Sequence, residues 1–169
     1  MRHARVGSVA LAAGAALIVA AAPAGAAHRT TLQQDVNQVL RDSKPGGKQV
    51  GRNQVVWARD GVRVTLLAPG TARAAASSAC RRGYACLWQD TNFRSRRVEF
   101  YRYRTYRLAD WGMPPGKRRG ASSWANHQTG GARAILTFAL GWFTMPPGGE
   151  GNLPRRRNDA AKFITLLKP

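Results

Sequence analysis

The chain is short of the residues that most catalytic and metal chemistry requires. Of 169 residues, two are cysteine, three are histidine and eight are carboxylates. Two thiolates with neither a histidine nearby nor a second cysteine pair cannot complete a four-ligand zinc site. His3 falls in an apolar leader, His28 stands near the start of the exported chain, and His127 lies between Asn126 and Gln128 at an expected strand end. Both cysteines are accounted for by a bridge, and no Gly-x-Ser-x-Gly elbow activates a serine. Among the carboxylates that could pair as acid and base, Asp90 fits a turn and Glu99 sits on a strand among arginines, which leaves Asp110 without a partner. No catalytic residue is assigned, and an enzyme is not expected.

Long apolar runs are also missing beyond the leader. A membrane-spanning helix needs about 20 apolar residues, and only residues 6–22 approach this, as a weakly hydrophobic, alanine-rich stretch. Arg2 and Arg5 precede it, and Pro23-Ala24-Gly25-Ala26 supplies the small residues of a cleavage site. Residues 1–26 therefore read as a secretory signal cut after Ala26, with a secreted, extracellular product and no transmembrane anchor. The 143 residues that remain suit one modest domain.

What is abundant is positive charge. Lys and Arg number 27, for a net charge of +19, or +17 once Arg2 and Arg5 leave with the signal. Such a balance draws a protein toward polyanions. The basic residues are scattered, from Arg52 through Arg94, Arg96, Arg97, Arg102, Arg104 and Lys117–Arg119 to Arg155–Arg157, as on an ordinary basic surface. Tyr101, Tyr103 and Tyr106 interleave with Arg102, Arg104 and Arg107, a pattern that suits base stacking beside phosphates. It suits a half-buried strand with an arginine-bearing outer face better, and no specific nucleic-acid partner is expected.

Cys80 and Cys86 enclose Arg81-Arg82-Gly83-Tyr84-Ala85, and Leu87-Trp88-Gln89-Asp90-Thr91-Asn92-Phe93 follows. In an oxidising compartment so short a loop reads as a disulfide, Cys80–Cys86.

Residues 31–42 form an expected amphipathic helix, with Leu32, Val36, Val39 and Leu40 on one face, Thr31 and Gln34 as a capping box, and Pro45-Gly46-Gly47 as the stop. Residues 55–59 and 62–66 flank Asp60-Gly61, the signature of a two-residue hairpin turn in which both residues take positive φ. Residues 68–79 look like a linker. Beyond it come short candidate strands at 85–88, 96–101, 122–126, 134–139, 141–144 and 162–167, separated by turn-rich stretches. The class is mainly β, an antiparallel sandwich preceded by a helix and hairpin. Trp111 and Trp124 are expected near the core.

The order of these pieces resembles a secreted bacterial peptidase-inhibitor family with a βγ-crystallin-like fold, whose best-known type inhibits thermolysin-like metalloproteases. The stretch from Cys80 to Phe93 is similar to the family opening. So are Leu108-Ala109-Asp110-Trp111-Gly112, Ala121-Ser122-Ser123-Trp124-Ala125-Asn126, the run from Trp142 to Gly148 and the closing run from Arg157 to Phe163. The resemblance implies a signal peptide (1–26), an N-terminal extension (27–67), a linker (68–79) and a two-Greek-key inhibitor domain (80–169). Each key opens with an aromatic pair and a glycine. Trp88 and Phe93 supply the first pair with Ser95 at the glycine position, and Phe138 and Phe143 supply the second with Met145 there. A left-handed backbone costs a non-glycine residue about 1–2 kcal/mol, so relaxed or compensated hairpins are expected.

Many βγ-crystallin modules hold calcium through paired Asn/Asp followed by paired hydroxyls. Aligned on Ser122 and Ser123, the acid positions carry Arg118 and Arg119; aligned on Asn158 and Asp159, the hydroxyl positions carry Lys162 and Phe163. A hard cation needs oxygen donors, so each half is degenerate and neither metal nor other cofactor is expected. The resemblance implies a non-enzymatic, monomeric peptidase inhibitor of the metalloprotease type, with an extracellular protease as partner. That type carries its reactive bond in a second disulfide loop, which this chain lacks, so no reactive-site residue is assigned. The competing expectation is a basic extracellular module for anionic polymers of the cell envelope.

Overall fold

Val55, Trp57, Val62 and Val64 are all buried and alternate with the less buried Gln54, Val56 and Arg63, so the strands β2 (Gln54–Trp57) and β3 (Val62–Thr65) form as one hairpin with a single buried face. The computed structural model describes residues 24–67, 80–116 and 118–169, with the backbone alone over 24–30. Nearly all of the expected leader and all of the expected linker lie outside the described residues. The hairpin turn differs from expectation. Trp57 pairs with Val62, so the loop has four residues, and the amides of Asp60 and Gly61 both donate to the Trp57 carbonyl, at 3.1 and 3.0 Å. Only Gly61 is left-handed, at φ 73. Asp60 is instead fixed through its side chain, which meets Lys44 at 2.8 Å and Arg104 at 3.5 Å.

Helix α1 (Ala24–Asp42) begins seven residues before the expected start, so Thr31 lies inside it and is not its cap. Alanine at positions 24, 26 and 27 carries the helix backward, since no residue has a higher helix propensity. Val36 and Val39 are fully buried, with Leu32 and Leu40 packed beside them.

The remaining strands are β1 (Lys48–Gly51), β4 (Ala85–Asp90), β5 (Arg94–Phe100), β6 (Thr105–Arg107), β7 (Ser123–Asn126), β8 (Ala134–Thr137), β9 (Trp142–Met145), β10 (Glu150–Asn152) and β11 (Phe163–Leu166). They make two antiparallel sheets. One has seven strands in the order β1-β2-β3-β5-β4-β7-β10, and the other has four in the order β6-β11-β8-β9. The front hairpin is therefore part of the larger sheet: β3 pairs with β5 from Val62↔Phe100 to Thr65↔Arg97. Each successive quartet of strands sends its third member to the opposite sheet, β6 from the first and β10 from the second.

Between the sheets lie Leu87, Val98, Phe100, Leu136, Met145, Ile164 and Leu166, all buried. Trp57 and Trp111 meet edge to face at 5.4 Å under α1, and the Trp57 indole N–H donates to the Lys44 carbonyl at 2.7 Å. Asn126, fully buried at the end of β7, ties the sheets together by donating to the carbonyls of Ala132 at 3.0 Å and Met145 at 2.9 Å. Paired polar groups of this kind make separation of the layers costly.

The tyrosine–arginine stretch is not the continuous strand its alternation suggests. Residues 102–104 bend, only Thr105–Arg107 are strand, and of the three tyrosines only Tyr106 is buried. Its single hydroxyl proton is shared between the carbonyls of Asp60 and Arg102, at 3.0 and 2.9 Å. Arg102 also packs over Gly61, so the bend is shaped by the hairpin turn beneath it.

Candidate functional site

On β4, Ala85 and Leu87 face the space between the sheets, so Cys86 and Trp88 face outward. There, with Cys80 and Ala125, they form a second small buried cluster, flanked by Tyr84, Phe93 and Leu67. Cys80 and Cys86 are joined by a disulfide, with Cα atoms 5.8 Å apart. The loop between them is a tight turn: the Tyr84 amide donates to the Arg81 carbonyl at 3.1 Å, and Gly83 takes φ 87, a conformation that a side chain would disfavour. Arg81 and Arg82 are exposed at its tip.

His127 pins this loop from the side. Its amide donates to Tyr84 at 2.9 Å, its carbonyl accepts from Gly83 at 2.7 Å, and its Nδ1 lies 2.7 Å from the Cys80 carbonyl. A carbonyl only accepts, so Nδ1 carries the proton. Nε2 lies 3.6 Å from Glu150 on β10. His127 is thus half-buried, and its contacts hold the loop in place. A shallow depression of about 450 Å³ lies beside the loop, lined by Arg82, His127, Gln128 and Gly148.

Behind the loop, Glu99 is completely buried and pairs across the sheet with Cys86. Arg97 approaches it at 3.5 Å and Arg81, from the loop tip, at 3.9 Å. Burial pulls the Arg97 guanidinium below its usual range, and Glu99 opposes that shift. Arg97 also lies over the Trp88 ring, 6.0 Å from its centroid. Glu99 thus acts as a buried counter-ion that couples the loop to the sheet. Sequence placed it among arginines, but nothing local to it signals burial.

The β4–β5 hairpin folds over itself. Trp88 and Phe93 meet edge to face at 5.1 Å, and Asn92, Phe93 and Ser95 all take left-handed backbone. The Ser95 hydroxyl donates to Asp90, and the Ser123 hydroxyl donates to the Asp90 carbonyl at 2.7 Å while accepting from the Phe93 amide at 3.0 Å. Asn92 and Asn152 exchange two bonds, at 2.7 and 3.0 Å. Ser95 therefore adopts the glycine-like conformation and is compensated by polar contacts. The second hairpin is different. Phe143 packs on Trp124 at 5.3 Å, Phe138 lies under Arg157 at 5.4 Å, and the left-handed residue is Gly141, in a short turn.

The two degenerate calcium loops are neighbours: the Gly116 amide donates to the Asp159 carbonyl, and the Asp159 amide to the Ala121 carbonyl at 3.0 Å. Arg118 and Asp159 are both left-handed, at φ 55 and 58. Ser122 and Ser123 are buried, and Asn158 donates to Asp159 at 3.1 Å. Arg118 and Arg119 stand at the acid positions, and the Ser123 hydroxyl is engaged in the β4–β5 hairpin.

No curated protein and no solved structure matches the chain. The model of Peptidase inhibitor family I36 matches residues 73–134, a span that takes in the bridged loop, the folded hairpin and the chain through to the start of β8. Over that stretch, the chain is similar to the peptidase inhibitors of family I36.

Proposed function

We propose that the chain is an exported, non-enzymatic peptidase inhibitor directed at proteases of the metalloprotease type, built on a βγ-crystallin-like pair of Greek keys. The observation that carries this reading is the family match across residues 73–134, which takes in a loop closed by Cys80–Cys86. Three further features support it. The exchange of β6 and β10 between the sheets accords with paired Greek keys. Export accords with the leader pattern, with the disulfide, and with the lack, among the described residues, of any helix long and apolar enough to cross a membrane. A role without cofactor or calcium accords with Arg118 and Arg119 at the acid positions.

Inhibition by shape requires a surface that is already ordered before the protease arrives, because immobilising a flexible segment offsets binding energy. The bridged loop meets that requirement through its disulfide, its internal turn and three backbone or side-chain contacts with His127. Its turn geometry keeps Arg81 and Arg82 from lying as an extended strand, so it would wedge a protease and not mimic a substrate. Titrating the folded protein against a thermolysin-like protease, a subtilisin and trypsin tests the proposal. Loss of activity of the thermolysin-like enzyme near stoichiometry is expected; full activity of all three at excess inhibitor removes it.

A further inference from the structure

Among the described residues, none covers the outer face of the four-stranded sheet, and that face is patterned. Strand register aligns Arg107, Phe163, Thr137 and Trp142 in one outward row, and Thr105, Thr165, Ile135 and Thr144 in the next. Trp142 is 67% exposed, Phe163 36%, and Leu140, at the adjoining turn, 91%. Single exposed apolar residues are ordinary. Here two aromatic rings stand in register two strands apart, roughly 10 Å at the usual strand spacing. Thr137 lies between them, and the hydroxyls of Thr105 and Thr165 meet at 2.9 Å in the next row.

Charge on this face has one sign. The eight carboxylates of the chain are Asp35, Asp42, Asp60, Asp90, Glu99, Asp110, Glu150 and Asp159, and none lies on β6, β8, β9 or β11. Arg107 ends the aromatic row, and Lys162 and Arg133, both exposed, flank the strands. A surface that combines separated rings, hydroxyls and positive charge suits a ligand with apolar ring faces, hydroxyl edges and negative groups.

We propose that this face binds a carboxylated polysaccharide of a cell envelope. Trp142 and Phe163 stack on sugar rings about a disaccharide apart, the threonine hydroxyls hydrogen-bond the sugar edges, and Arg107 receives a carboxylate, for which its planar fork is suited. Single-stranded nucleic acid fits less well, because stacking platforms hold successive bases, whereas these rings are separated by an intervening strand. The bridged loop projects from the other sheet, on the opposite side of the sandwich, so glycan binding and peptidase inhibition stand or fall separately.

The test measures binding of the folded full chain to immobilised polygalacturonate, with neutral dextran and single-stranded DNA in parallel. Trp142→Ala is expected to weaken polygalacturonate binding about tenfold, in line with the loss of one stacked ring, while Trp142→Tyr retains most of it. Arg107→Ala is expected to weaken it more than Arg59→Ala, which removes an exposed charge from the turn of the larger sheet. Urea unfolding of each variant separates lost binding from lost folding. Binding that ignores Trp142→Ala and responds equally to both arginine changes is generic attraction to a basic protein and overturns the proposal. So does Trp142-dependent binding that is as strong on dextran, or stronger on DNA.

Discussion

Ser95 holds left-handed backbone at φ 63 and donates its hydroxyl to the carboxylate of Asp90 across the folded β4–β5 hairpin. A glycine would adopt that backbone freely; the serine trades conformational strain for a charge-assisted bond. Two substitutions separate the terms. Ser95→Ala keeps the strain and loses the bond, and should destabilise by about 1–2 kcal/mol. Ser95→Gly loses the bond but releases about 1–2 kcal/mol of strain, and should remain near wild type. Urea unfolding of both variants reads the difference directly.

The Cys80–Cys86 bridge closes a short loop, with a sequence separation of six. Chain-entropy reasoning gives about 2 kcal/mol for a loop of this size. Replacing both cysteines by alanine should lower stability by that amount while leaving the far-ultraviolet circular dichroism of the fold intact. If inhibition acts through the ordered loop, inhibitory potency should fall more than stability does.

The front segment is predicted to be indispensable. A chain starting at Cys80 would lose α1 and β1 to β3, strip the β3 partner from β5, and expose apolar surface that Val62, Val64 and Trp57 now cover. Unpaired strand edges and uncovered apolar patches favour aggregation. Expression of residues 80–169 should yield insoluble or unfolded material, whereas residues 27–169 fold. A soluble, cooperatively unfolding product from residue 80 would show that the hairpin is dispensable.

Tyr106 sets an alkaline limit. Burial pushes its phenol up to about 12 from the usual value near 10. The folded chain therefore holds this proton more tightly than the unfolded chain. The associated stability is whole below about pH 10, declines as pH rises toward 12, and amounts to roughly 2–3 kcal/mol. Urea midpoints measured from pH 9 to 12 should fall over that window. In Tyr106→Phe the fall should be shallower, although the variant starts lower for want of the bonds to Asp60 and Arg102.

Much of the architecture was legible because it is written in alternating burial. Val55 and Trp57, Val62 and Val64, Ala134 and Leu136, and Ile164 and Leu166 each mark a strand within a residue or two of its bounds. Strands β1, β6 and β10 escaped notice because Lys48–Gly51, Thr105–Arg107 and Glu150–Asn152 are three or four residues long and carry no apolar alternation. They exist only through their partners, and the pairing of β3 with β5 is likewise non-local. At the site, the cysteines and the Trp88–Phe93 pair stood out in sequence. His127 and Glu99 did not, because their roles come from carbonyls and guanidinium groups brought to them by folding. The second hairpin departed from the first because Gly141, not position 145, takes the left-handed turn.

Inhibition and cleavage of the chain can be followed together in one tube. The folded protein is mixed at increasing ratio with a thermolysin-like protease, residual activity is measured, and the intact mass of the chain is read at each point. Protease activity is expected to fall near stoichiometry while the chain persists uncut, with the Cys80–Cys86 bridge in place. Steady protease activity accompanied by progressive cleavage of the chain would mark it as a substrate and not an inhibitor.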